Sequence, residues 1–147
     1  MTPREWTLLV IAAAKVRPLQ PVQLQKALFL LSRNLSKEQL KTDKFYDFAA
    51  FDYGPFSSDV YQDAENLERD GLVHVTRPPV SRYKLYQITD DGLARANELS
   101  GELQEPTRKY FEDIVHFTQR LSFNQLVSAI YKAYPEMREN SVFKEEA

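Results

Sequence analysis

The 147-residue chain contains no cysteine, four glycines, two histidines and one tryptophan. Without cysteine there is neither a disulfide scaffold nor a thiolate metal site, a composition suited to a reducing compartment. The four glycines form neither G-x-x-x-x-G-K nor G-x-G-x-x-G, which excludes a phosphate-cradling loop of the usual kind. No catalytic motif surrounds His74 or His116. The longest apolar run, Leu8 to Ala14, is far too short to span a bilayer. Glu5 before it and Lys15 and Arg17 after it are not the flanks of a signal peptide. These absences lead to the expectation of a non-catalytic cytoplasmic protein with no membrane partner, no metal and no cofactor.

What is present is an ordinary folded composition, 43% hydrophobic and 27% charged, at a length that suits one domain. The net charge of −2 is distributed in blocks. Residues 1–35 carry Arg4, Lys15, Arg17, Lys26 and Arg33 against Glu5. Residues 57–71 hold Asp59, Asp63, Glu65, Glu68 and Asp70 against Arg69, whereas residues 72–89 hold Arg77, Arg82 and Lys84 with no acid. Alternating blocks of this kind suit a polar partner surface or the pairing of one block with another.

Thr2, Pro3 and Glu5 signal a capped helix carrying Trp6, Leu9, Val10, Ala13 and Ala14 at helical spacing. Pro21 starts a second helix whose stripe, Leu24, Ala27, Leu28, Leu31 and Leu35, is widened by Phe29 and Leu30. So wide a stripe predicts cover on more than one side. The aromatic stretch Phe45–Tyr53 reads as an extended segment, with a helical stretch as the alternative, and its rings are expected in the core. In "YGPFSS", Pro55 biases Gly54 toward an extended backbone, Ser57 is the N-cap, and Phe56 against Tyr61 forms a hydrophobic staple. The following helix turns Val60, Ala64 and Leu67 inward and stops at Gly71.

Leu72 to Arg77 and Arg82 to Ile88 read as a hairpin, with Pro78 and Pro79 in or beside its turn. Asp90 and Asp91 read as the cap of a helix with Leu93, Ala96 and Leu99 inward. A helix from Pro106 carries Tyr110, Ile114, Phe117 and Leu121 with Phe111 and Val115 alongside, and a last one is capped by Ser122 and Gln125. The expected fold is therefore mainly α with a small β-hairpin, an α+β chain. It reads as a winged helix-turn-helix core over residues 1–105, with a helical extension over 106–147 packed on it.

"LQKALFLL" (Leu24–Leu31) followed by "YGPFSSDVY" (Tyr53–Tyr61) resembles the signature of Panacea-domain proteins, the SocA-like antitoxins, and of their uncharacterised winged-helix relatives in bacteria and archaea. The resemblance covers residues 22–75, and "YKAYPEMRENSV" is similar to the ending of those relatives. It departs at Phe56-Ser57-Ser58, where Panacea members more usually carry small aliphatic residues and a proline. The resemblance implies a module that binds another protein, in the antitoxin case a toxin.

The helix a winged-helix protein would lay on DNA is acidic here, whereas phosphate contact calls for cations. Two functional expectations follow. In the first, Asp59, Gln62, Asp63, Asn66, Arg69 and Asp70 contact a basic partner protein, with Tyr53, Gly54, Pro55, Phe56, Ser57 and Tyr61 as the structural turn before them. In the second, Arg77, Arg82 and Lys84 contact DNA phosphate, with helix 2 contributing, in a regulator that dimerises through its C-terminal helices. Asp59 and Asp63 share a helical face, as a metal pair would, but no histidine stands at ligand spacing.

Overall fold

A computed structural model describes residues 1–144. Helix α1 (Pro3–Ala13) begins at a complete capping box between Thr2 and Glu5, as the sequence predicts. Helix α2 spans Pro21–Asn34 and α3 is one turn, Lys37–Leu40. Strands β1 (Ala49–Phe51) and β2 (Gly54–Phe56) form a tight antiparallel pair, and α4 (Ser58–Arg69) follows directly. Strands β3 (Val73–Thr76) and β4 (Leu85–Ile88) make a second antiparallel hairpin, with Val73 opposite Ile88 and Thr76 opposite Leu85. Helices α5 (Asp90–Gly101), α6 (Glu105–Arg120) and α7 (Phe123–Ala133) and a short 3-10 turn at Pro135–Arg138 complete the chain. The architecture is α+β, and 58% of the described residues are helical.

Leu19, between α1 and α2, exchanges both backbone hydrogen bonds with Tyr86 at 2.9 Å, so a third segment runs antiparallel to β4. This bridge ties the loop between the first two helices to the far edge of the hairpin.

The wide stripe of α2 has a direct cause. Leu24, Ala27, Leu28 and Leu31 enter one apolar cluster with α1, α4, α5 and the β3–β4 hairpin. Phe29 and Leu30 enter a second, with Leu126, Val127, Ile130, Tyr131 and Met137. Helix α2 is thus the shared wall of two cores, and each fully buried leucine or phenylalanine contributes about 1.5–3 kcal/mol to holding it there. Trp6 anchors the first cluster, edge-on to Phe111 with its indole N–H donating to the Leu40 carbonyl at 2.7 Å.

Several local expectations are corrected. Gly54 is not extended: its φ is +103°, a conformation glycine adopts without strain. Not all the aromatics of Phe45–Tyr53 are core, since Tyr46 is buried but Phe51 and Tyr53 are 51% and 46% exposed. Thr89, rather than Asp90 or Asp91, caps α5 by accepting from the Gly92 N–H. Leu93 is 43% exposed, because the inward position belongs to Gly92. On α6 the stripe is rotated: Phe111 and Val115 are the buried pair, and Tyr110, Ile114, Phe117 and Leu121 are half-buried.

A Cβ at Gly92 would lie 1.9 Å from the Leu72 carbonyl oxygen, whereas one at Gly101 would meet nothing within 4 Å. Gly92→Ala should therefore lower unfolding free energy by about 2 kcal/mol or more, because backbone must move. Gly101→Ala should be neutral or stabilising by up to about 1 kcal/mol, since alanine is the better helix former. Urea denaturation of the two variants checks the contrast.

Candidate functional site

The turn into α4 is built from α2. Gln25, buried on α2, donates through Nε2 to the Ser57 carbonyl at 2.8 Å and accepts from the Ser57 N–H at 3.0 Å. Ser57 is the N-cap residue in position, but its hydroxyl makes no capping bond; the glutamine satisfies its backbone instead. Phe56 and Tyr61 pack edge to face at 5.6 Å, the staple geometry, and Tyr61 stacks on Tyr86 at 6.5 Å. Pro55 accepts a hydrogen bond at 3.1 Å from Nζ of Lys26.

Val60, Ala64 and Leu67 of α4 are buried, as predicted. The carboxylates around them divide into two groups. Toward the C-terminal end, Glu68 forms a two-pronged pair with Arg77 at 2.7 and 2.8 Å, Glu65 lies 3.8 Å from Lys84, and Asp70 lies 3.8 Å from Arg4. The paired guanidinium holds the Glu68 carboxyl below its ordinary range. Two of the three hairpin cations expected to contact phosphate are therefore held by the carboxylates of α4. Arg82 is outside every ion pair among the described residues.

Toward the N-terminal end the arrangement differs. Asp63 is not an outward acid: it is half-buried and accepts from the Tyr46 hydroxyl at 2.5 Å, and that hydroxyl also bonds Thr7 at 2.7 Å. Burial and this bond push the Tyr46 phenol far above its ordinary range. Asp59 and Gln62 are exposed, and Gln62 reaches Asn66, itself half-buried, at 3.4 Å. Asp47, Asp59, Gln62 and Asp63 line a shallow groove of about 500 Å³ together with Lys44 and the Met1–Pro3 segment. Asp47, Asp59 and Asp63 are outside every ion pair among the described residues. The six residues proposed for partner contact are thus split, with Asp59, Gln62 and Asp63 at the groove, Asn66 and Arg69 beyond it, and Asp70 turned to Arg4.

The cations of α2 are not available to phosphate. Arg33 lies over the Phe29 ring at 5.0 Å and bonds Glu136 at 3.0 Å. Lys26 is only 4% exposed and belongs to the interior rather than to a basic surface block. The sequence signal for this burial is its place inside "LQKALFLL", on a helix whose apolar stripe calls for cover on more than one side. Lys26 lines a cavity of about 300 Å³ with Phe51, Tyr53, Phe56, Tyr61 and Phe123. Among the described residues no group of three or more His, Asp or Glu side chains is arranged to hold a metal, and no helix is long and apolar enough to cross a membrane.

No protein-family model matches the chain, and no curated protein sequence does.

Burial lowers the Lys26 ammonium to about 8 from its ordinary value near 10.5. Below pH 8 the folded protein carries the cost of a buried charge, and that cost is relieved as pH rises through 8 to 10.5, where the unfolded chain holds the proton longer. The unfolding free energy of wild type minus that of Lys26→Met should therefore rise across this window, by roughly 3 kcal/mol in total. Paired urea titrations at pH 7, 9 and 10.5 measure it, and a flat difference would mean the lysine is solvated.

Proposed function

We propose that this chain is a non-catalytic winged-helix module that binds a partner protein carrying a basic segment, with the contact centred on the N-terminal half of α4. Support for the winged-helix reading is the order α1, the Leu19 bridge, α2, α4 and the β3–β4 hairpin, in which the bridge supplies the first strand of a small three-stranded sheet. In that reading α3 and the β1–β2 pair are an insertion, α4 is the recognition helix and the hairpin is the wing.

The observation that carries the functional reading is the groove where Asp47, Asp59 and Asp63 meet without an ion pair among the described residues. Carboxylates on a half-sheltered surface attract a lysine or arginine side chain and set the orientation of the partner that bears it. The contact narrows from the whole helix to Asp47, Asp59 and Gln62, with Asp63 supporting it from its bond to Tyr46. An antitoxin-like role, with a toxin as the partner, is the version suggested by the Panacea resemblance.

DNA binding is disfavoured by the internal pairing. Across residues 57–88 five carboxylates face four cations, and Arg77 and Lys84 would have to leave Glu68 and Glu65 before touching phosphate. Arg69 and Arg82, the two of these cations outside the ion pairs among the described residues, together offer a salt slope of only about −1.8. Fluorescence anisotropy with a labelled duplex at 50 mM salt should show no saturable binding; tight, salt-sensitive binding would reinstate the regulator reading.

The partner test is a charge reversal that spares the Tyr46 bond. Asp47→Lys with Asp59→Lys should leave the melting temperature within about 2 °C of wild type, since both side chains are exposed. The same variant should lose a basic protein that wild type retains from its native host, identified by mass spectrometry. Equal retention by both forms would remove the groove from the interface.

A further inference from the structure

A second feature, sharing no lining residue with the acidic groove, concerns the buried lysine. An ammonium has three donors and no acceptor capacity. The structure gives Lys26 one hydrogen bond, to the Pro55 carbonyl at 3.1 Å, and no carboxylate within ion-pair distance among the described residues. Buried charges are ordinarily paired, because leaving one uncompensated is strongly unfavourable.

The space beside this lysine has a distinct chemistry. Its cavity of about 300 Å³ is walled by Phe51, Phe56, Tyr61 and Phe123, with Tyr53 at the side. Phe51 stacks on Phe56 at 5.2 Å with the planes 25° apart, and Phe123 meets Tyr53 edge-on at 5.2 Å. An adjoining cavity of about 520 Å³ shares Pro21, Val22 and Phe123 and brings Arg82 and Tyr83 to its rim. Phe51 and Tyr53 are half exposed, which is unusual for rings that could pack. The acid at the cavity is Asp52, and it is exposed.

We infer that this cavity binds a small aromatic monocarboxylate, whose carboxylate pairs with the Lys26 ammonium and whose ring lies between the stacked Phe51–Phe56 pair and Phe123. A flat ring matches the aromatic walls, which favour offset-stacked and edge-to-face contact. The carboxylate supplies the charge-assisted acceptor that the lysine lacks. The volume is at the lower limit for ligand pockets, so the ligand is a single ring or a fused pair with a short acid arm. Its backbone support is already in place: a Cβ at Gly54 would sit 3.6 Å from Nζ of Lys26, so glycine keeps the approach to the ammonium open.

The test is isothermal titration calorimetry of the full chain with phenylacetate and indole-3-acetate, beside phenylacetamide and phenethylamine. The acids should bind, and the neutral amide should bind at least tenfold more weakly. Phenethylamine should give no heat. Lys26→Met should abolish acid binding, and Phe51→Ala, a change at a half-exposed ring that spares folding, should weaken it about fivefold. Equal binding of acid and amide, unchanged acid binding in either variant, or preference for the amine would each overturn the proposal. So would the absence of binding by both acids at millimolar concentration.

Discussion

The fold depends on how α2 presents polar atoms from inside a double core. Gln25 and Lys26 are adjacent, buried, and directed at the same short piece of backbone, Pro55 to Ser57. Their hydrogen bonds fix where the β1–β2 pair ends and where α4 begins. Buried donors and acceptors without partners would cost several kcal/mol, so the glutamine and the turn require each other. The staple of Phe56 on Tyr61 then sets the angle of α4, and α4 in turn receives the β3–β4 hairpin through Glu68 and Arg77.

That order explains why the acidic helix and the basic hairpin coexist in a chain of nearly neutral charge. The two blocks are complementary halves of one intramolecular contact at the C-terminal end of α4. Surface ion pairs of this type contribute little singly, up to about 1 kcal/mol, so their consequence lies in the field presented to a visitor rather than in stability. What is left over, the acids at the groove near Tyr46, is the reduced face to which the proposed partner contact is assigned.

Much of the element pattern was legible locally. Capping boxes at Thr2 and Ser122, the wide stripe on α2, the staple and the Pro78-Pro79 turn each depend on residues within a few positions of one another. The departures came from long-range contacts. Leu93 is displaced outward because Gly92 sits against the Leu72 carbonyl, twenty residues away. The site was less legible for the same reason. Periodicity puts Asp63 and Asp59 on one face, but only the fold reveals that Tyr46 claims the first and leaves the second to solvent. Lys26 shows the same limit, since a cation within an apolar stripe gives no sign of which walls will surround it.

The two-pronged Glu68–Arg77 pair has an implication for how such a surface changes over generations. Replacing Glu68 and Glu65 by glutamine would shift residues 57–88 from net −1 to net +1 and release a guanidinium and an ammonium to the outside, without touching a buried side chain. Two amide-for-acid exchanges thus separate a face that repels polyanions from one that attracts them. A scaffold arranged this way lies a short mutational distance from one whose exposed face could hold a polyanion.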